Sequence, residues 1–423
     1  MNYYSLSNRT IVRTFGEALR EGLAPDRGLF VPAFIPVIPG INDSDLSLPE
    51  LGATMLLPYV EKDLNESQLL AIMEEALNFP IPLVPVEDNL HLLELFHGPT
   101  AAFKDVGARI MSRLLSAVTN ERLTVLVATS GDTGSAVAQG FFNVPGIDVV
   151  ILYPQGRISE IQERQLTTVG GNVVALEVAG SFDDCQELVK MAFMDRGLQR
   201  IRPLTSANSI NIGRWLPQSI YYAWARNLAQ EKLHVVVPSG NFGNIAAGVL
   251  AKKMGSKLGA LVSAVNSNAV MAEYFATDQF LPLPSVATIS NAMDVGDPSN
   301  RPRLEWMFDG SFKGNELNFS VHSVDEASTR DELLRMHRKY GHLVCPHTAV
   351  GTRVYEHMVK EKWGGPSAVL ATAHPAKFGE IVTQSTGVVP VLPESLLACT
   401  QKTPHRISIS NQYSDLQFYL RNE

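Results

Sequence analysis

Cysteine is scarce in this chain: three residues in 423, at Cys185, Cys345 and Cys399. They give neither a metal-ligand spacing nor an even-numbered disulfide framework, so free thiols in a reducing compartment are expected. Basic runs are missing and the formal net charge is −8, which argues against a nucleic-acid partner. No apolar run approaches the ~20 residues that a helix needs to cross a bilayer, so no membrane partner is expected. The opening residues, Met1-Asn2-Tyr3-Tyr4-Ser5, lack the basic and apolar segments of a secretion signal. Repeats and low-complexity tracts are absent too. These absences point to a soluble, cytoplasmic, globular protein. What is present is ordinary, 45% hydrophobic and 18% charged residues, with enough chain for two or three domains.

Residues 1–90 read as a separate unit. Thr14 to Glu21 has the length of a short helix stopped by Gly22, and Asn65 to Leu77 has helical periodicity. Pro80, Pro82 and Pro85 then break the chain. From Leu92 onward, apolar runs at 123–128, 149–153, 173–176, 234–237, 261–265 and 368–371 alternate with helical stretches. Those helices are expected at 135–142, 159–169, 182–195, 213–228 and 245–254. Such alternation is the mark of a doubly wound α/β fold with mostly parallel sheets, which binds ligands at the carboxyl ends of its strands.

Four segments concentrate chemistry at such ends. His97-Gly98-Pro99-Thr100-Ala101-Ala102-Phe103-Lys104-Asp105 sets a lysine at the start of a helix, behind a Gly-Pro turn. A lysine so mounted and partly desolvated suits Schiff-base chemistry. Thr129-Ser130-Gly131-Asp132-Thr133-Gly134 enters a helix with small residues and exposed N–H groups, which suit a carboxylate or phosphate. Ser239-Gly240-Asn241-Phe242-Gly243-Asn244 lacks the G-x-G-x-x-G spacing of a dinucleotide site and reads as a cup for one phosphate. Thr372-Ala373-His374-Pro375-Ala376-Lys377 offers a hydroxyl, an imidazole and an ammonium. A fifth stretch, Ser206 to Arg214, is rich in amides and hydroxyls, and Arg214 at a helix start opposes the dipole unless an anion sits beside it.

Taken in this order, with Tyr153-Pro154 and Asn291-Ala292-Met293-Asp294, these motifs make the chain resemble the threonine synthases of the longer type with an added N-terminal domain. The resemblance spans nearly the whole chain. It implies the fold of the tryptophan synthase β-subunit group of pyridoxal phosphate enzymes. The expected layout is an N-terminal domain (1–90), two interleaved α/β domains (91–400) and a C-terminal tail (401–423).

By that resemblance the cofactor is pyridoxal 5'-phosphate, carried by Lys104 as a Schiff base. Phe103 packs beside its ring, and Gly240, Asn241, Phe242, Gly243 and Asn244 hold its phosphate. Thr372 contacts its pyridine nitrogen. Asp132 stands where related folds place an asparagine near the phenolic oxygen. Ser130, Gly131, Thr133 and Gly134 take the substrate carboxylate, while Asn208, Asn211, Arg214 and Lys377 face the substrate phosphate. His97 orients cofactor or substrate, or only satisfies a turn. The implied reaction turns O-phospho-L-homoserine and water into L-threonine and phosphate, with Lys104 removing the Cα proton. A phospho-lyase releasing 2-oxobutanoate, ammonia and phosphate is the alternative, and the sequence leaves monomer and homo-oligomer open. An oxidoreductase using the glycine loops, with no role for Lys104, and a cofactor carrier without turnover are weaker readings.

Overall fold

The computed structural model describes residues 1–312 and 317–422. Its first unit packs a small antiparallel sheet on three helices. The strands are β1 (Tyr3–Ser5), β2 (Val12–Arg13) and β3 (Phe30–Pro32), in the order β2-β1-β3. The helices are α1 (Phe15–Glu21), α2 (Leu48–Val60) and α3 (Glu66–Ala76). Each begins with a capping box, Thr14 with Glu17, Ser47 with Glu50 and Asn65 with Gln68, so the first turn's free N–H groups are met locally. Thr14 and Asn65, expected as first helical residues, are therefore caps. Leu51, Met55, Leu69 and Met73 bury the inner faces of α2 and α3.

The hairpin β4 (Leu83–Glu87) and β5 (Leu90–Glu94) belongs to the next unit, so the large sheet starts before the expected boundary at residue 90. The chain then builds β6 (Leu123–Ala128), β7 (Ile147–Pro154), β8 (Val173–Ala179) and β9 (Leu204–Thr205). It returns for β10 (Leu233–Pro238), β11 (Leu258–Val265), β12 (Phe319–Ser323) and β13 (Ser367–Ala371), and ends with β14 (Ile407–Ser410). Two sheets result, ordered β12-β11-β10-β13-β5-β4 and β14-β8-β7-β6-β9. All their pairs are parallel except β4 with β5. The expected interleaving is thus visible, since β5 pairs with β13, a strand made after the whole middle of the second sheet. β6 and β11 are buried at every residue, as continuous apolar runs with both faces covered should be.

The connecting helices are α4 (Lys104–Val118), α5 (Asp132–Gly140), α6 (Glu160–Thr167), α7 (Phe182–Met194), α8 (Arg196–Ile201), α9 (Ile212–Trp215), α10 (Ile220–Ala229) and α11 (Gly243–Lys253). One expectation fails here. The single helix foreseen over 213–228 is broken by a tight turn at Leu216–Ser219, because Pro217 has no N–H to donate. The foreseen tail fails too: β14 extends the second sheet beside β8, and a helix at Tyr413–Asn422 packs on α7 and α8 through Leu416 and Leu420. Among the described residues no helix is long and apolar enough to cross a membrane. All three cysteines are unpaired and buried.

Candidate active site

Lys104 is the first residue of α4, and the turn before it is fastened from two sides. The Asp105 carboxylate accepts from the backbone N–H (2.9 Å) and the hydroxyl (2.6 Å) of Thr100. Gly98 is required there, since a Cβ would lie 2.5 Å from Asp105 Oδ2. Beyond β13, the Thr372 carbonyl accepts from Phe103 N–H (2.9 Å) and Ala101 O from His374 N–H (3.0 Å). The lysine is thus mounted on the strand end that also carries Thr372. Its side chain is 17% exposed, its amine lies 5.1 Å from the Phe103 ring centroid, and it stands 3.8 Å from Asp132 Oδ2. Burial draws the Lys104 amine below its ordinary range; Asp132 opposes this, and Lys377 and Arg214 reinforce it.

Asp132 begins α5 and accepts from Lys377 Nζ (2.8 Å) and Gln162 Nε2 (3.0 Å). Burial would raise this carboxyl, but Lys377 and Lys104 outweigh it and hold it well below the usual carboxylate range. Lys377 has no exposed side chain, and it also donates to Thr100 O (2.8 Å). It does not line the cleft, which corrects its expected place on the substrate phosphate.

The cup after β10 opens toward the same space. Phe242 takes φ 60°, which turns the chain so that α11 starts at Gly243 with the N–H groups of its first turn free of helical partners. A Cβ on Gly240 would sit 2.6 Å from Met293 Cα, so the 291–293 turn presses directly on the cup. The Asn241 amide is fastened at both ends: its Nδ2 donates to Ser209 Oγ (2.7 Å) and its Oδ1 accepts from Ser299 N–H (2.5 Å). Asn244 Oδ1 accepts from the hydroxyls of Tyr221 (2.6 Å) and Tyr222 (2.7 Å), and its Nδ2 is buried with no partner among the described residues.

The turn after β6 is arranged otherwise. Thr129 Oγ1 accepts from Gly131 N–H (3.0 Å) and Gly134 N–H (2.8 Å). Those two donors, expected on a substrate carboxylate, already have an acceptor, and neither glycine lines the cleft; Ser130 and Thr133 do. Gly131 is fixed by φ 141° and by Gln162, 2.5 Å from where a Cβ would be.

Arg214 and Asn208 also line the cleft. Arg214 is 3% exposed and donates through Nη1 to Ala207 O, while its Nε has no partner among the described residues. Burial lowers its guanidinium to about 10, against the pull of Asp105. Asn208 Oδ1 is another buried atom without a partner among the described residues. Asn211 is a correction: as the cap of α9 its Oδ1 accepts from Gly213 N–H (2.9 Å) and its Nδ2 donates to Leu19 O and Ser206 O (both 2.9 Å), outside the cleft. His97 pairs with Glu94 (2.7 Å) near the surface, also outside.

Three cleft residues were not anticipated from sequence: Gln162, Arg157 and His347. His347 Nε2 accepts from Ala292 N–H (3.1 Å), so Nδ1 carries the proton, buried and unpartnered. Burial holds this imidazole down at about 4, with Asp132 opposing. Gln162 closes a capping box with Ser159, and His347 follows Pro346 at the start of a helix (Pro346–Val354), so in sequence both look like ordinary helix starts. The whole cleft has a volume of about 1820 Å³ and runs between the sheets to the N-terminal unit.

Three family profiles cover the chain in succession. They are "Threonine synthase N terminus" over residues 2–77, "Pyridoxal-phosphate dependent enzyme" over 78–373 and "Threonine synthase, C-terminal" over 348–417. Threonine synthase of Haemophilus influenzae is 42% identical, with 99% of each chain covered. The chain belongs to the threonine synthase family. Threonine synthase of Escherichia coli K12 is 39% identical over 94% of each chain. The crystal structure of the Escherichia coli threonine synthase superposes with TM-score 0.92 at 36% identity, covering all of both chains. A pyridoxal-phosphate-bound threonine synthase from Brucella melitensis gives TM-score 0.92 at 33% identity, covering 100% of this chain and 99% of that one. A tomato threonine deaminase, at 15% identity and TM-score 0.59, shares the fold alone. As a threonine synthase family member the chain is a lyase dependent on pyridoxal 5'-phosphate. The site fits that cofactor: a desolvated lysine amine, a helix-start cup with free N–H groups, and Asn208, Arg214, Asn244 and His347, each with a buried polar atom lacking a partner among the described residues, line one cleft.

Proposed function

We propose that this cleft forms L-threonine and phosphate from O-phospho-L-homoserine and water. Bound pyridoxal phosphate supplies an electron-withdrawing ring that makes the protons of a linked amino acid acidic. The N–H groups at Gly240–Asn244 would hold its phosphate against the positive end of α11. Thr372, on the strand end that fixes Lys104, would meet the ring nitrogen. Phe103 and the 291–293 turn bound the cavity where the ring would lie.

Lys104 carries the cofactor and then acts as the base at Cα, and its desolvation makes the neutral amine accessible. Ser130 and Thr133 hold the substrate carboxylate through hydroxyls and N–H groups, without the glycines that Thr129 engages. Arg214 and Asn208 orient the substrate phosphate, which is both handle and leaving group. The cup cannot bind it while holding the cofactor's own. Arg157, an exposed cation on the same cleft, adds to the field that draws in a dianion. The observation that carries this reading is the convergence on one cleft of a desolvated lysine, a separate phosphate cup and a second buried cation, Arg214. Incubating the holoenzyme with O-phospho-L-homoserine and identifying products tests it: threonine and phosphate are expected. 2-Oxobutanoate with ammonia as the main product would sink it.

A further inference from the structure

Lys377 lies behind the cleft rather than in it. Its ammonium has two partners, Asp132 Oδ1 and Thr100 O, each at 2.8 Å. Its side chain is 0% exposed and that of Asp132 4%. The other oxygen of the same carboxylate, Asp132 Oδ2, stands 3.8 Å from Lys104 Nζ. One buried carboxylate therefore bridges two lysines, contributed by the turn after β13, the start of α5 and the start of α4. We propose that Lys377 is a positioning residue: it keeps Asp132 neutralised, so that Lys104 can lose and regain a proton without leaving a bare buried carboxylate. This rests on the reading of Lys104 as the base that moves the Cα proton.

If Asp132 had only Lys104 and the neutral Gln162 amide for partners, deprotonating the lysine would strand a buried charge, and breaking a buried pair in that way is strongly unfavourable. The ammonium would then be held, and the base locked in its acid form. With Lys377 a full ångström closer, the carboxylate stays paired in both states of Lys104. The other groups around Lys104 do not supply that pairing. Arg214 on α9 is a cation but donates to Ala207 O and makes no ion pair with Asp132 among the described residues, and His347 and Cys345 stand at the start of the helix after residue 345 as a neutral imidazole and a buried thiol. Asp105 on α4 is turned toward Thr100. The second bond of Lys377, to Thr100 O, ties it to the turn just ahead of Lys104, and Gln165 Nε2 shares that carbonyl at 3.1 Å.

The test follows the holoenzyme through pH. In Lys377→Met, Asp132 keeps Lys104 and the neutral Gln162 amide. The acid limb of kcat/KM and the pH titration of the cofactor's visible absorption should both move up by about one unit or more, roughly tenfold in rate at a fixed pH on that limb. Lys377→Arg keeps the charge and should titrate as the wild type does. Asp132→Asn and the double variant Asp132→Asn/Lys377→Met should titrate within less than about a unit of each other, because Lys377 acts chiefly through Asp132 and only secondarily by direct repulsion of Lys104. That pair decides the matter if Lys377→Met does not fold. An unmoved titration in Lys377→Met with only a lower Tm, or a gap of about a unit or more between the two asparagine variants, overturns the proposal. Borohydride reduction and peptide mapping run on the same samples. Cofactor fixed to another lysine removes the base reading and the proposal with it, whereas cofactor on Lys104 without a titration shift removes the proposal alone.

Discussion

The two turns proposed to bind anions are built in opposite ways. After β10, side chains do the fastening: Asn241 ties to Ser209 and Ser299, Asn244 to two tyrosines, and the backbone N–H groups at the helix start are left free. After β6, the backbone does the fastening: Thr129 draws in the N–H groups of Gly131 and Gly134, and side chains are left to face the cleft. The first arrangement is a fixed field of dipoles, suited under the proposed function to one dianion that stays bound. The second offers hydroxyls and a paired carboxylate, suited under the proposed function to groups that come and go. Under the proposed function, two glycine-containing turns of similar composition would serve a resident ligand and a passing one, and what separates them is which hydrogen bonds are already made.

Substitutions can break that comparison or sharpen it. The largest effect is expected at Lys104, which belongs to neither turn. Lys104→Ala should lower kcat by about a thousandfold or more while the cup after β10 still binds cofactor non-covalently, seen by dialysis and absorbance. Next, Arg214→Ala should lower kcat/KM by roughly tenfold to a hundredfold, the worth of about 1.5–3 kcal/mol for a charged hydrogen bond, with the cofactor's colour retained. Gly240→Ala should weaken cofactor binding by about 1–3 kcal/mol, because the new methyl meets backbone at Met293. Thr129→Val should leave cofactor affinity near the wild-type value but lower stability by ~1–3 kcal/mol, through two buried N–H groups without an acceptor. Equal losses of cofactor from these last two variants would erase the distinction between the turns. The smallest effect is expected for Thr372→Val, about 0.5–1.5 kcal/mol in cofactor affinity by equilibrium titration.

Much of the fold could be read from the chain because its strands are buried on both faces. The run at 123–128 coincides with β6, and 173–176 and 234–237 fall inside longer strands. The break at Pro217 and the strand at 407–410 escaped for different reasons. The first is a local clash inside a strongly helical pattern. The second is a half-exposed edge, whose pairing with β8 depends on a partner more than two hundred residues earlier. In the site, Lys104 and the Gly240–Asn244 cup stood out because their chemistry needs special backbone. Asn211, Gly131, Gly134 and Lys377 were placed one layer too far forward. Residue type gives the hydrogen-bonding capacity, and only the folded neighbours decide whether a carbonyl, a hydroxyl or a carboxylate has already claimed it.

The interleaving of the sheets also sets the order in which the protein can be made. Leu90 on β5 pairs with Ser367 on β13, and Leu176 on β8 with Ile407 on β14. A ribosome must therefore deliver almost the entire chain before either sheet acquires its full set of strands. Until then β5 and β8 are open edges, the kind of surface that pairs with strangers. Contacts so distant in sequence make for slow closure. A nascent chain of this design needs shelter during translation, and a message truncated near residue 400 would yield a product with Lys104 in place and an unprotected β8.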